Sequence, residues 1–364
     1  MLALAQKASA RYLSSNHQTV STMLENNVIF TPYSLYSPYW IIIEGGPLEA
    51  MVAVNANSLY HQPNLMGFAT THQWTKAWDA LYQTLGPNAD VAMRAAVIPA
   101  ENVPSLQEIQ LSLKPVSEIN AIASNIWLAN DLSEGRLVCY MQPVVDRERR
   151  VSGFEAFARI AHADGEKVSG GAIMQASRAL RLEYQVDRLM HIQAVQKFLQ
   201  QQLEGIIFIN FLTNFIHLPG TYLAGLSEAV DRYGLPPQSI VLDIPLASYL
   251  RDVPKLKSIA DYCNDKGFLL AFGDVDTTDK LAELLADMRP AFVKLDAKMT
   301  ATIQTAETQA RVKDILQRAH GFGARIVAEG VENAEQFEAY RNAGLDFFQG
   351  YYFGAPTQTP TMQV

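Results

Sequence analysis

The sequence predicts an α/β protein: a modified TIM-type (β/α)8 barrel with an antiparallel first strand, preceded by a small α+β domain. Three observations carry that prediction. From Leu137 onward, eight strand-like runs fall within about 230 residues, and from the third run on most are separated by helical stretches of roughly 10–20 residues. Charge density changes along the chain, with 13 charged side chains in residues 1–130 and 53 in the remaining 234. A chain of 364 residues also suits one barrel of about 250 residues plus a smaller companion.

The elements follow in order. Residues 1–115 read as the small domain, sensory or regulatory in role: a helix over Leu2–Leu13, strands at Tyr39–Ile43 and Met51–Val54 separated by Gly45-Gly-Pro47, a helix near Gln73–Leu85 and a strand at Ala92–Ile98. Residues 116–135 form a linking helix, because Ile119, Ile122, Ala123 and Ile126 recur at helical spacing after Pro115. Residues 136–358 form the barrel, with strands at Leu137–Val145, Val151–Phe157, Ile206–Leu212, Ile240–Ile244, Phe268–Phe272, Phe292–Leu295, Arg325–Ala328 and Phe347–Phe353. No helix fits between the first two runs, and Asp146-Arg-Glu-Arg-Arg150 reads as a hairpin turn, so these two strands are antiparallel. Phe347 and Phe348 read as core, and Gly321-Phe-Gly323 as a helix-ending turn.

Composition excludes several functions. With 49% hydrophobic and 18% charged residues the chain is globular, and a net charge of −8 argues against a surface for nucleic-acid polymers. Cys139 and Cys263 make neither a disulfide framework nor a metal box. No apolar run approaches the ~20 residues of a membrane span, and Met1–Ala5 is too short for a signal peptide's apolar region. These features together predict a cytoplasmic protein.

Several strands finish on a polar residue: Glu155, Asn210, Asp243, Asp274, Lys294, Glu329 and Gln349. One such residue is ordinarily a satisfied core group. Seven at one barrel face make a site, because barrel active sites are assembled from the C-terminal ends of several strands and unpaired carboxylates repel without a cation. The oxygen-rich set suits Mg²⁺ or Mn²⁺ better than zinc, and two such ions would clamp an in-line phosphodiester cleavage.

Cys139-Tyr-Met-Gln-Pro-Val-Val145 followed by Gly153-Phe-Glu-Ala-Phe-Ala-Arg159 resembles the opening of EAL domains, the phosphodiesterases and receptors of cyclic di-GMP. The resemblance continues, collinear over about residues 120–358, through Ile209-Asn210, Ile240-Val-Leu-Asp243, Phe292-Val-Lys-Leu-Asp296, Ala328-Glu-Gly-Val-Glu332 and Gln349-Gly-Tyr-Tyr-Phe353 with Pro356. It implies metal ligation by Glu155, Asn210, Asp243, Asp274 and Glu329. It implies that Lys294 positions or deprotonates the attacking water, with Glu332 in support. For the dinucleotide it implies Gln142, Phe157, Arg159, Asn210, Glu332, Gln349, Gly350 and Pro356, and for the assembly a homodimer with a further protein partner.

Three positions depart from the family pattern. Phe157 stands for leucine in the naming tripeptide, and Asp243-Ile-Pro-Leu246 replaces Glu-x-Thr-Glu, shortening one carboxylate arm and losing the second. Counting back from Lys294 places Gly273 at the first residue of the paired-aspartate motif and Asp274 at the second; slipping by one moves the loss to Val275. Either register removes one carboxylate, although Asp276 lies two residues away. The expected reading is a non-catalytic receptor of cyclic di-GMP. The alternatives are a metal-dependent phosphodiesterase that yields the linear dinucleotide, and an inactive scaffold acting by protein–protein interaction.

Overall fold

The computed structural model describes residues 38–44, 59–62, 64–70, 74–85, 93–100, 102–162, 165–212, 219–246, 252–276 and 280–363. The expected helix over Leu2–Leu13 and strand over Met51–Val54 lie outside these residues. Contacts divide the chain into two units, one comprising Val138–Arg159 and Tyr184–Val364, the other the described parts of Asn27–Leu137 with Ile160–Glu183.

The unit that holds the N-terminal sheet is built on five antiparallel strands, β1 (Tyr39–Glu44), β2 (Leu59–Gln62), β3 (Leu65–Ala69), β4 (Arg94–Pro99) and β5 (Lys114–Pro115), in the order β2-β3-β1-β4-β5. The aromatic and β-branched run Tyr39-Trp-Ile-Ile-Ile43 favours extended backbone, and β1 takes the central place with all five side chains buried. The helix Trp74–Leu85 buries Trp74, Trp78 and Leu81, and the Trp78 indole donates to Asn120 Oδ1 at 3.2 Å. The expected linking helix is two: Val116–Asn125 and Trp127–Ser133, broken at Ile126, whose carbonyl accepts from Ala129 N–H in a tight turn.

The other unit is a closed eight-stranded barrel. Strands β6 (Leu137–Asp146), β7 (Val151–Ala161), β9 (Ile206–Asn210), β10 (Ile240–Pro245), β11 (Leu269–Val275), β12 (Phe292–Leu295), β13 (Arg325–Ala328) and β14 (Phe347–Gln349) follow the order β6-β14-β13-β12-β11-β10-β9-β7, and a β6–β7 pairing closes the ring; the two-residue β8 (Lys167–Val168), in the stretch Ile160–Glu183, pairs with Ile160 and Ala161 outside that ring. β7 and β9 to β14 are parallel neighbours, while β6 runs antiparallel to β14, as the short turn after Val145 requires. Asp146 carries that turn, with Oδ1 accepting from the backbone N–H of Glu148 and Arg150 at 2.9 Å each.

The last strand is shorter than its apolar run suggests. At Gly350 a Cβ would stand 2.0 Å from Val331 O and 2.2 Å from Val331 N, so only glycine lets the two backbones meet. Val331 N–H donates to Gln349 O and Tyr352 N–H to Val331 O, which turns Tyr351–Phe353 out of the sheet.

Within the barrel, Val144, Phe208, Val241, Ala271, Phe292, Val327 and Phe347 form one packed cluster, one side chain from each of seven strands. Side chains on a strand alternate faces, so the inward position two residues further toward the barrel mouth is set by the same period.

Candidate functional site

That next inward position is polar on nearly every strand. It is Asn210 after Phe208, Asp243 after Val241, Lys294 after Phe292, Glu329 after Val327 and Gln349 after Phe347, with Glu155 on β7 and, on the antiparallel β6, Gln142 before Val144. On β11 the place after Ala271 is Gly273. A hydrophobic floor thus carries a ring of hydrogen-bonding groups with one gap.

Lys294 is 1% exposed and stands on that floor, its Nζ 5.5 Å from the centre of the Phe208 ring. Above it three carboxylates converge: Nζ is 2.8 Å from Glu155 Oε2, 2.5 Å from Asp243 Oδ2 and 2.7 Å from Glu329 Oε1. Burial opposes the ammonium charge, but Asp243, Glu155 and Glu329 outweigh it and hold the lysine pKa well above its ordinary value. Burial pushes Asp243 up to about 6 and Glu329 up to about 8, against the pull of Lys294. Three acids share a single base, and the site carries an excess of negative charge.

Asn210 completes the cluster, its Nδ2 donating to Glu155 Oε1 at 2.9 Å. Glu155, Asp243 and Glu329 each offer an oxygen within 4.8 Å of the others, the only such carboxylate, histidine or cysteine group among the described residues. Asp243 Oδ1 is buried without a hydrogen-bond partner. Hard oxygen donors with one unsatisfied atom fit a divalent cation such as Mg²⁺ or Mn²⁺.

Asp274 stands apart from this group. It is exposed at the mouth on a left-handed backbone, φ 52°, where the β11–β12 register shifts between Phe272 and Val275. Partial burial and nearby Asp296 raise its carboxyl pKa. Asp276 is also exposed.

The remaining expected residues divide. Phe157 and Arg159 extend the inward face of β7 beyond Glu155, with the guanidinium 5.7 Å from the Phe157 ring centre and Nη1 donating to Ala158 O at 2.7 Å. Gln349 is 3% exposed, and its Nε2 lacks an acceptor in the structure. Gln142 Nε2 already donates to Gly354 O at 2.9 Å, fixing the tail that carries Pro356, and Thr357 pairs with Met141 beside it. Glu332 is exposed, and its backbone N–H donates to Gln336 Oε1.

One buried polar network has no counterpart in the sequence reading. Asp187 accepts from the Tyr222 hydroxyl and from Leu212 N–H, and His191 Nε2 lies 3.3 Å from the same carboxylate. The His191 and Tyr222 rings both pack on Phe211, the residue after Asn210. The Asp–His spacing of four on one helix was the available signal.

Comparison with known proteins gives the same outline. The match to the EAL domain covers residues 126–356. An uncharacterised EAL-domain protein of Bacillus subtilis, YkuI, is 27% identical over 216 residues, 58% of this chain and 53% of its own. The probable cyclic di-GMP phosphodiesterase PdeG of Escherichia coli is 26% identical over 235 residues, 63% of this chain and 46% of its own. The chain thus spans about half the length of these relatives. Among solved structures, the FimX EAL domain of Xanthomonas citri in complex with c-diGMP aligns with TM-score 0.61 at 21% identity, covering 68% of this chain and 98% of that one. A standalone EAL protein of Vibrio cholerae in its c-di-GMP bound form aligns with TM-score 0.53 at 26% identity, covering 62% and 93%. With an antiparallel opening strand, a polar ring at the barrel mouth and a family match over most of its length, the chain belongs to the EAL domain family.

Proposed function

We propose that the barrel is a cyclic di-GMP receptor that binds the dinucleotide without cleaving it. The gap at Gly273 carries this reading, because it removes a carboxylate from the paired-aspartate position while the rest of the polar ring remains. Hydrolysis through two cations needs more carboxylates than binding does. Dinucleotide contacts fall to Arg159, which supplies charge to a phosphate, to Phe157, and to the buried, unpaired amide donor of Gln349. Gln142, Asn210, Glu332, Gly350 and Pro356 shape the remainder of the mouth. Glu155, Asn210, Asp243 and Glu329 would hold Mg²⁺ or Mn²⁺, which would supply positive charge to the ligand's phosphate.

In this reading the protein works in the cytoplasm as a homodimer and passes occupancy to the N-terminal unit or to a protein partner. No helix among the described residues is long and apolar enough to cross a membrane.

The test is calorimetric titration with cyclic di-GMP, followed by chromatography of the nucleotide after hours with Mn²⁺. Saturable heat with intact dinucleotide is expected; absence of heat at high micromolar ligand overturns the reading. The second reading, a metal-dependent phosphodiesterase, is favoured by one observation: Lys294 stays in contact with all three carboxylates. Linear dinucleotide that disappears in Glu155→Ala would establish it.

A further inference from the structure

Position 273 has a neighbour that explains its emptiness. A Cβ built there would stand 2.5 Å from Asp243 Oδ1 and 3.3 Å from Asp243 Cγ. Asp243 cannot easily give way, because it is 4% exposed and its other oxygen is 2.5 Å from Lys294 Nζ. Oδ1 itself has no hydrogen-bond partner, a costly state for a buried carboxylate oxygen.

We propose that the Asp243 carboxylate, turned into the space that a side chain at position 273 would fill, takes the place of the missing β11 carboxylate, so that Glu155, Asn210, Asp243 and Glu329 form a site for a single hard divalent cation. Two departures from the family pattern, the shorter acid at 243 and the glycine at 273, are then linked, because a side chain at 273 would meet the Asp243 carboxylate where it now stands. The donor count agrees. Three carboxylates and one amide, completed by water, satisfy one six-coordinate ion. A second ion would have to draw on Asp274 or Asp276, which are exposed and outside the cluster.

The inference rests on the reading of this cluster as a cation site, and its test uses metal alone. The full chain, stripped with chelator, is titrated with Mn²⁺ by calorimetry without nucleotide. One ion per chain is expected. Gly273→Ala drives its methyl group into Asp243 and should weaken Mn²⁺ binding by roughly tenfold or more. Asp243→Asn, which keeps the shape and so guards against a misfolded alanine variant, should weaken it as much. The exchange Gly273→Asp with Asp243→Ala should recover part of the affinity by returning the acid to β11. Two ions per chain, no Mn²⁺ binding by the parent, or parental affinity in a folded Gly273→Ala or in Asp243→Asn overturns the inference. Cyclic di-GMP binding measured alongside keeps the two readings separate. A parent that binds nucleotide and two ions sinks only the single-cation site; one that binds one ion and no nucleotide sinks only the receptor.

Discussion

Lys294 Nζ stands 2.5 Å from Asp243 Oδ2, the closest of the three ion pairs that one buried ammonium makes with acids on β7, on β10 and just past the end of β13. The lysine is therefore the internal counter-ion of the barrel mouth. Its removal leaves Glu155, Asp243 and Glu329 facing one another without its charge. Lys294→Met should lose about 3–5 kcal/mol of stability, the usual cost of stranding buried charge. Urea unfolding at pH 7.5 measures this loss. Because the stranded carboxylates can take up protons, the deficit should shrink at pH 5.5. An equal deficit at both pH values would show that lost packing, and not lost charge, is responsible.

The parent protein should itself lose stability as pH rises. Burial lifts Asp243 to about 6 and Glu329 to about 8, from ordinary values of 3.8 and 4.5. Between about pH 4 and 8 the folded state therefore holds protons that the unfolded state has released, and stability falls as pH climbs through the folded values. Melting temperatures in chelator should drop from pH 5.5 to pH 8. Mn²⁺ should flatten that slope, because the cation binds the deprotonated acids in the folded state alone. A melting temperature that rises over the same interval in chelator would contradict the assignment.

Much of this site was legible because a strand has a period of two. Phe208-Ile-Asn210, Val241-Leu-Asp243, Phe292-Val-Lys294 and Phe347-Phe-Gln349 each set a polar group on the face of a core residue, and that pattern survives without coordinates. The pairing of Asp243 with Gly273 was not legible, since it depends on the register of two strands and glycine has no chemistry to announce it. Asp274 is a related case. It directly follows the inward position, and the left-handed backbone at a register shift carries it to the exposed rim. The Asp187–Tyr222 hydrogen bond joins two helices 35 residues apart in sequence, which periodicity within either helix does not reveal.

Gly350 offers a check on whether its place in the family motif reflects ligand contact or chain geometry. A methyl group there meets the backbone of Val331, which cannot rotate aside as a side chain can. Gly350→Ala should cost at least the ~1–3 kcal/mol typical of overpacking. Cyclic di-GMP affinity should fall with it, because Gln349 and Val331 shift together. Gly321→Ala, at the end of a helix with open space around it, should leave stability within about 0.5 kcal/mol of the parent. Weakened nucleotide binding by Gly350→Ala at parental melting temperature would assign the residue to direct contact instead.

Arg159 separates recognition from folding. It lies near the end of β7, stacked on Phe157, and its Nη1 bond to Ala158 O is local. Removing it breaks no contact with the acid cluster, so Arg159→Ala should melt within a few degrees of the parent. A phosphate held by a guanidinium is a charge-assisted contact, and its loss should weaken cyclic di-GMP binding by about 1.5–3 kcal/mol. Lysine keeps the charge but not the planar fork or the stacking, so Arg159→Lys should recover only part of the affinity. A half-buried charge at the mouth is still partly screened, so parental affinity should fall with added salt more steeply than that of Arg159→Ala. Calorimetry at two ionic strengths reads both effects. Parental affinity in Arg159→Ala would move the phosphate contact to another part of the mouth.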